Sequence, residues 1–108
     1  MKLIIAIVND DDARNVMDTL SENGYMVTKL CSSGGFLKAG NTTLLCGAEE
    51  DKVSEILEII GNESKVRRKS AAHLKAEKNI ASFAEADKSV MVGGATVFIT
   101  NVERFEKV

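Results

Sequence analysis

One apolar stripe occurs twice in this chain. Ala13, Val16, Met17 and Leu20 fall at i, i+3, i+4 and i+7, and forty residues later Val53, Ile56, Leu57 and Ile60 repeat that spacing. Each set lines one side of a helix with 3.6 residues per turn, and a helix with one apolar side has to bury it. Before the first stripe stands Lys2 to Val8, rich in Ile and bounded by polar residues, which reads as a buried strand. Asn9 or Asp10 is placed to cap the first helix, Asp11 and Asp12 suit its positive first turn, and Gly24 is placed to end it. A second strand is expected from about Tyr25, interrupted near Gly34 by a glycine-rich loop, and a third begins near Asn41. Glu49-Glu50-Asp51 starts the second helix, and Gly61 is expected to close it as Gly24 closes the first. The last strand is expected from about Ser89 to Thr100, with Gly93-Gly94 marking a bulge or a close backbone approach. A tail from Asn101 to Val108 is expected to dock through Val102 and Phe105.

Two helices of equal length, apolar on one face only and alternating with strands, predict an α+β fold. The arrangement is a ferredoxin-like βαββαβ sandwich, an antiparallel sheet with both helices on one face. The other sheet face still carries Ile, Leu, Val and Met side chains, so self-association into a compact homo-oligomer is expected to cover it. With 108 residues the chain is read as a single small domain, 1–108, for which oligomerisation is a plausible source of extra burial.

Residues 62–88 break the pattern. Lys65, Arg67, Arg68, Lys69, Lys75 and Lys78 crowd into this stretch, and its apolar residues are sparse. It reads as a long basic loop inserted before the final strand, with a short strand near Val66 or a helical turn around Ala76.

The net charge is −2, so a nucleic-acid partner is not expected. No apolar run reaches membrane-spanning length, and the first residues lack a signal peptide's pattern, which implies a cytoplasmic protein. Catalysis is poorly supported. His73, the one histidine, has no nucleophile in a recognisable motif, and the phosphate-binding P-loop pattern is absent. Cys31 and Cys46 lack metal-motif spacing and read as strand thiols. Asp10, Asp11 and Asp12 read as helix-start charges rather than a metal cluster, and no cofactor is implied.

The stretch Thr28 to Gly47 carries the functional signal. Gly34, Gly35 and Gly40 allow backbone N–H groups to approach a phosphate, and Phe36, mid-loop, can stack on a base. Thr28, Asn41 and Thr42 supply hydroxyl and amide groups on the flanking strands. Lys2-Leu3-Ile4-Ile5-Ala6-Ile7-Val8, Val27-Thr28-Lys29-Leu30, Gly34-Gly35-Phe36-Leu37-Lys38-Ala39-Gly40-Asn41-Thr42-Thr43 and Val92-Gly93-Gly94-Ala95-Thr96-Val97-Phe98 together resemble the signature of the PII-like cyclic-di-AMP receptor family. The resemblance implies a homotrimer with a cyclic-di-AMP site at each subunit interface. Phe36 would stack on an adenine, Gly35 and Leu37 would offer backbone contacts, and Thr28, Asn41 and Thr42 polar ones. Gly47, Gly93 and Gly94 would leave room.

The chain departs from the family pattern in three places. Gly24 and Met26 stand where ligand-binding members typically carry asparagine and arginine; the long loop lacks their Gly/Pro/Tyr-rich stretch; and Val108 replaces an aromatic C-terminus. Two functions follow. One is a signal-transduction protein that binds cyclic-di-AMP or a related adenine nucleotide and engages an unknown protein partner through the 62–88 loop. Arg67, Arg68 and Lys69 could there neutralise ligand phosphates. The other is a trimeric scaffold that has lost the ligand and acts as a protein-interaction module. A third reading is a metal-binding trimer using Cys31, Cys46 or His73.

Overall fold

The structure is a computed structural model, and it describes residues 1–30, 40–70 and 89–108. The elements run β1 (Lys2–Asn9), α1 (Asp10–Glu22), β2 (Val27–Leu30), β3 (Asn41–Ala48), a short 3-10 turn (Glu50–Lys52), α2 (Val53–Glu63), β4 (Arg67–Ser70), β5 (Ser89–Val92) and β6 (Ala95–Asn101). Four strands form an antiparallel sheet in the order β2-β3-β1-β6, the ferredoxin-like arrangement expected from the two stripes. A separate hairpin pairs β4 with β5.

The strands alternate as a half-covered sheet requires. Ile4, Ala6 and Val8 of β1 and Leu44, Cys46 and Ala48 of β3 are buried, and they pack with Ala13, Val16 and Leu20 of α1 and Ile56 and Ile60 of α2. Their neighbours in sequence point the other way. Leu3, Ile5 and Ile7 are only half-buried, and Phe98, which opposes Ile5 in the ladder, is exposed.

The first helix starts as expected. Asn9 has extended backbone and its side chain accepts from the Asp11 N–H at 2.9 Å. It ends after Glu22, where Gly24 takes φ +86°, the left-handed conformation that suits a glycine just beyond a helix. The second helix ends differently. Gly61 lies inside α2 and is not left-handed; the helix continues to Glu63, and buried Ser64 follows as its cap, its hydroxyl donating to the Ile60 carbonyl. The helices accordingly differ in length, 13 residues against 11.

The expected last strand is two strands. Gly93 and Gly94 have φ +96° and +80°, which extended backbone does not use, so the chain turns between them and β5 and β6 join different sheets. β2 begins at Val27, two residues later than Tyr25. The short strand expected near Val66 is β4.

Candidate functional site

A cleft of about 820 Å³ opens where β2 begins and β3 ends. Thr28 and Leu45 face each other across the β2–β3 ladder on one wall, with Gly47 beyond them. Gly24 and Met26 line it from the turn before β2, and Val102 and Phe105 from the C-terminal tail. Met26 is 88% exposed and Phe105 67% exposed, so two large apolar side chains stand free at its rim. A Cβ built on Gly24 or Gly47 would meet nothing within 4 Å, so both glycines leave open space.

The polar groups of the cleft are few. Tyr25 lines it, and its hydroxyl donates to Glu55 Oε2 of α2 at 2.6 Å. That hydrogen bond, then burial and the Glu55 charge, push the phenol up to about 12, so it stays protonated and committed to Glu55 at neutral pH. Lys52 and Lys107 bring positive charge, and Glu49 and Glu106 oppose it. Cys46 also reaches the cleft but is buried, and burial pushes its thiol up, which disfavours the nucleophilic thiolate.

The other end of the sheet has a different construction. Asn41 opposes Asn9, the cap of α1. Thr42 lies on the helix-covered side, is 6% exposed, and donates through Oγ1 to Asp10 Oδ1 at 2.6 Å. Gly93 and Gly94 sit against the chain that leaves α2. The Gly94 N–H donates to the Ser64 carbonyl, and a Cβ on Gly93 would lie 2.5 Å from the Lys65 carbonyl oxygen and 2.7 Å from Arg67 Nη1.

The residues singled out in the sequence thus fall into two groups. Thr28 and Gly47 share the cleft; Asn41, Thr42, Gly93 and Gly94 gather at the opposite end. Gly47 pairs with Leu3 and Thr42 with Val8, so the ends lie five β1 residues apart, about 17 Å at strand rise. Gly35, Phe36, Leu37, Cys31 and His73 lie outside the described residues. Among the described residues no three acidic, cysteine or histidine side chains gather as a metal site. Asp10 and Asp12 are instead engaged with Thr42 and Arg67.

Sequence reasoning does not place Tyr25, Lys52 or Phe105 at the site, and the structure does. Of the two tail residues expected to dock, Val102 does so, donating its N–H to the Met1 carbonyl at 3.0 Å, while Phe105 stands exposed at the cleft. Only the placement of the tail beside β1 brings it there.

The cyclic-di-AMP receptor family model matches residues 1–108. The chain belongs to that family. The family is one of receptors. The chain is also similar to a functionally unknown protein from Pediococcus pentosaceus whose crystal structure is known. The two share 39% identity over 99% of this chain and 96% of the other, with a TM-score of 0.74. No described helix is long and apolar enough to cross a membrane.

Proposed function

We propose that this family member binds cyclic-di-AMP, or a related adenine nucleotide, at the subunit interfaces of a cytoplasmic homotrimer, and signals to a protein partner through the 62–88 segment, which includes the end of α2 and β4. The observation that carries this reading is the cleft. Its volume of about 820 Å³ falls in the range of small-molecule sites, roughly 300–1,000 Å³. Thr28 and Gly47 line it, and its rim presents Met26 and Phe105 as apolar surfaces for a base. An interface site also accounts for the separation of the two residue groups. A ligand that bridges two subunits can meet the cleft end of one and the glycine-loop end of another. The half-covered sheet face, with Leu3, Ile5, Ile7 and Phe98, supplies the apolar surface for such an assembly.

The test is calorimetry with cyclic-di-AMP, using cyclic-di-GMP and ATP as controls, alongside light scattering for the oligomeric state. One ligand per subunit at about micromolar affinity, roughly −8 kcal/mol, is expected. A monomer, or the absence of saturable heat at millimolar ligand, would sink the proposal. The composition of the wall favours one alternative: Gly24 and Met26 offer no charged donor there, as in a scaffold that has lost the ligand and recognises a protein.

A further inference from the structure

The first turn of α1 holds the starts of two strands, β3 and β4, at once. The Asp10 N–H donates to the Gly40 carbonyl at 2.8 Å, and the Asp10 carboxylate accepts from Thr42 Oγ1. Both contacts fasten the point where the 31–39 connection rejoins the sheet. Two residues on, Asp12 is 5% exposed and takes a forked ion pair from Arg67, with Nη2 at 2.9 Å from Oδ1 and Nη1 at 3.1 Å from Oδ2. Arg67 is the first residue of β4, so this pair fastens the root of the hairpin whose strands lead into and out of residues 71–88. Arg67 Nη1 also donates to the Lys65 carbonyl at 3.1 Å, and Gly93 leaves the space that the guanidinium occupies.

The geometry points to a coupling joint: the Asn9–Asp12 turn, through Asp10 and Asp12, links the position of Gly40–Thr42 at the start of β3 to that of the β4–β5 hairpin. The physical argument is rigidity. Asp10 and Asp12 share one capped helical turn, so neither carboxylate can shift far without the other. Asp12 is too buried to exchange its partner for water at little cost, and the fork gives Arg67 one orientation. A displacement of Gly40 and Thr42 therefore pulls on the turn that positions Arg67, and a hairpin movement pulls back. Coupling of this kind is reciprocal. Its functional meaning rests on the proposed ligand site, because it supplies a route from a ligand at the glycine loop to the 62–88 segment.

The test is hydrogen exchange by mass spectrometry on the full chain without ligand, comparing wild type with Arg67→Met and Thr42→Val. Beyond the rise that lost stability gives throughout β1, Arg67→Met is expected to raise exchange at least fivefold at Gly40–Thr43 as well as at Lys65–Arg67, and Thr42→Val at the same two places, whereas a rise of one size throughout overturns the joint. Effects confined to each variant's own side would overturn the joint. If Arg67→Met fails to fold, Arg67→Lys, which keeps the charge and loses the fork, is expected to show the same pattern at smaller size; a wild-type pattern at Gly40–Thr43 in that variant also overturns it. Calorimetry of the wild type with cyclic-di-AMP reports separately on the ligand reading, so the failure of one inference is not mistaken for the failure of the other.

Discussion

The two ends of the sheet are built on opposite principles. At the cleft end, open space is kept: Gly24 and Gly47 face no neighbour, and Met26 and Phe105 are solvent-exposed. At the hairpin end, a run of contacts ties neighbouring segments together. Asp10 holds Gly40 and Thr42, Asp12 holds Arg67, Ser64 holds Gly94, and Gly93 is packed against backbone. An open surface keeps its contacts unspent, whereas the hairpin root is held by contacts that admit one geometry. The contrast also shows that glycines in one sequence signature have different duties. Gly47 leaves space outside the chain, and Gly93 leaves space for the chain itself.

That contrast can be broken by substitution. Gly93→Ala forces a Cβ onto the Lys65 carbonyl at a φ that favours glycine. A loss of about 3 kcal/mol in urea denaturation is expected; a loss under about 1 kcal/mol would mean that the hairpin root is loose. Arg67→Met is expected to cost about 2 kcal/mol. It leaves the Asp12 carboxylate buried without its partner, but Arg67 is itself 40% exposed, which places the effect below that of a fully buried pair. Thr42→Val, nearly the same shape, removes the hydroxyl donor to Asp10, and about 1.5 kcal/mol should be lost, as for a hydrogen bond to a charged group. Equal stability of Thr42→Val and wild type would remove Asp10 from the tied end.

At the cleft the same measurements should barely move. Gly47→Val and Phe105→Ala are expected within about 0.5 kcal/mol of wild type. Gly47→Val should nonetheless weaken cyclic-di-AMP binding about tenfold or more by filling the space beside Thr28, and unchanged affinity would take the ligand out of this cleft. The smallest effect is a titration. Tyr25 ionises with a midpoint raised to about 12 against an ordinary 10, so its contribution to stability is complete below pH 10 and is lost as the pH climbs from 10 to 12. Ultraviolet titration of Glu55→Ala should bring the midpoint back toward 10; no change would mean that Glu55 is not the cause.

The helices, β1, β3 and the antiparallel sandwich were legible in the sequence because each rests on local rules: the 3.6 period of the stripes, the Asn9 cap, the left-handed Gly24. Gly61 misleads by the same local rule. Nothing near it in sequence shows that Ser64 would be buried and take over the end of α2. The division of the last strand into β5 and β6 was half-legible: the Gly93-Gly94 pair marked an irregularity, but whether it was a bulge or a turn depended on which strand each half could pair with.

The site was legible as a list of residue types and not as an arrangement. Thr28, Asn41 and Thr42 look alike in sequence as polar groups flanking one loop. Strand alternation separates them: Thr28 faces the cleft side, and Thr42, on the opposite face of the sheet, is spent on Asp10. Sequence alone determined the order and kind of the elements from β1 to α2, because helix and strand periodicity and helix starts act over a few residues. Only the tertiary structure decided that Phe105 borders the cleft and that Asp12 meets Arg67, 55 residues away. Such pairings are chosen when faces pack, and no local pattern records which faces will meet.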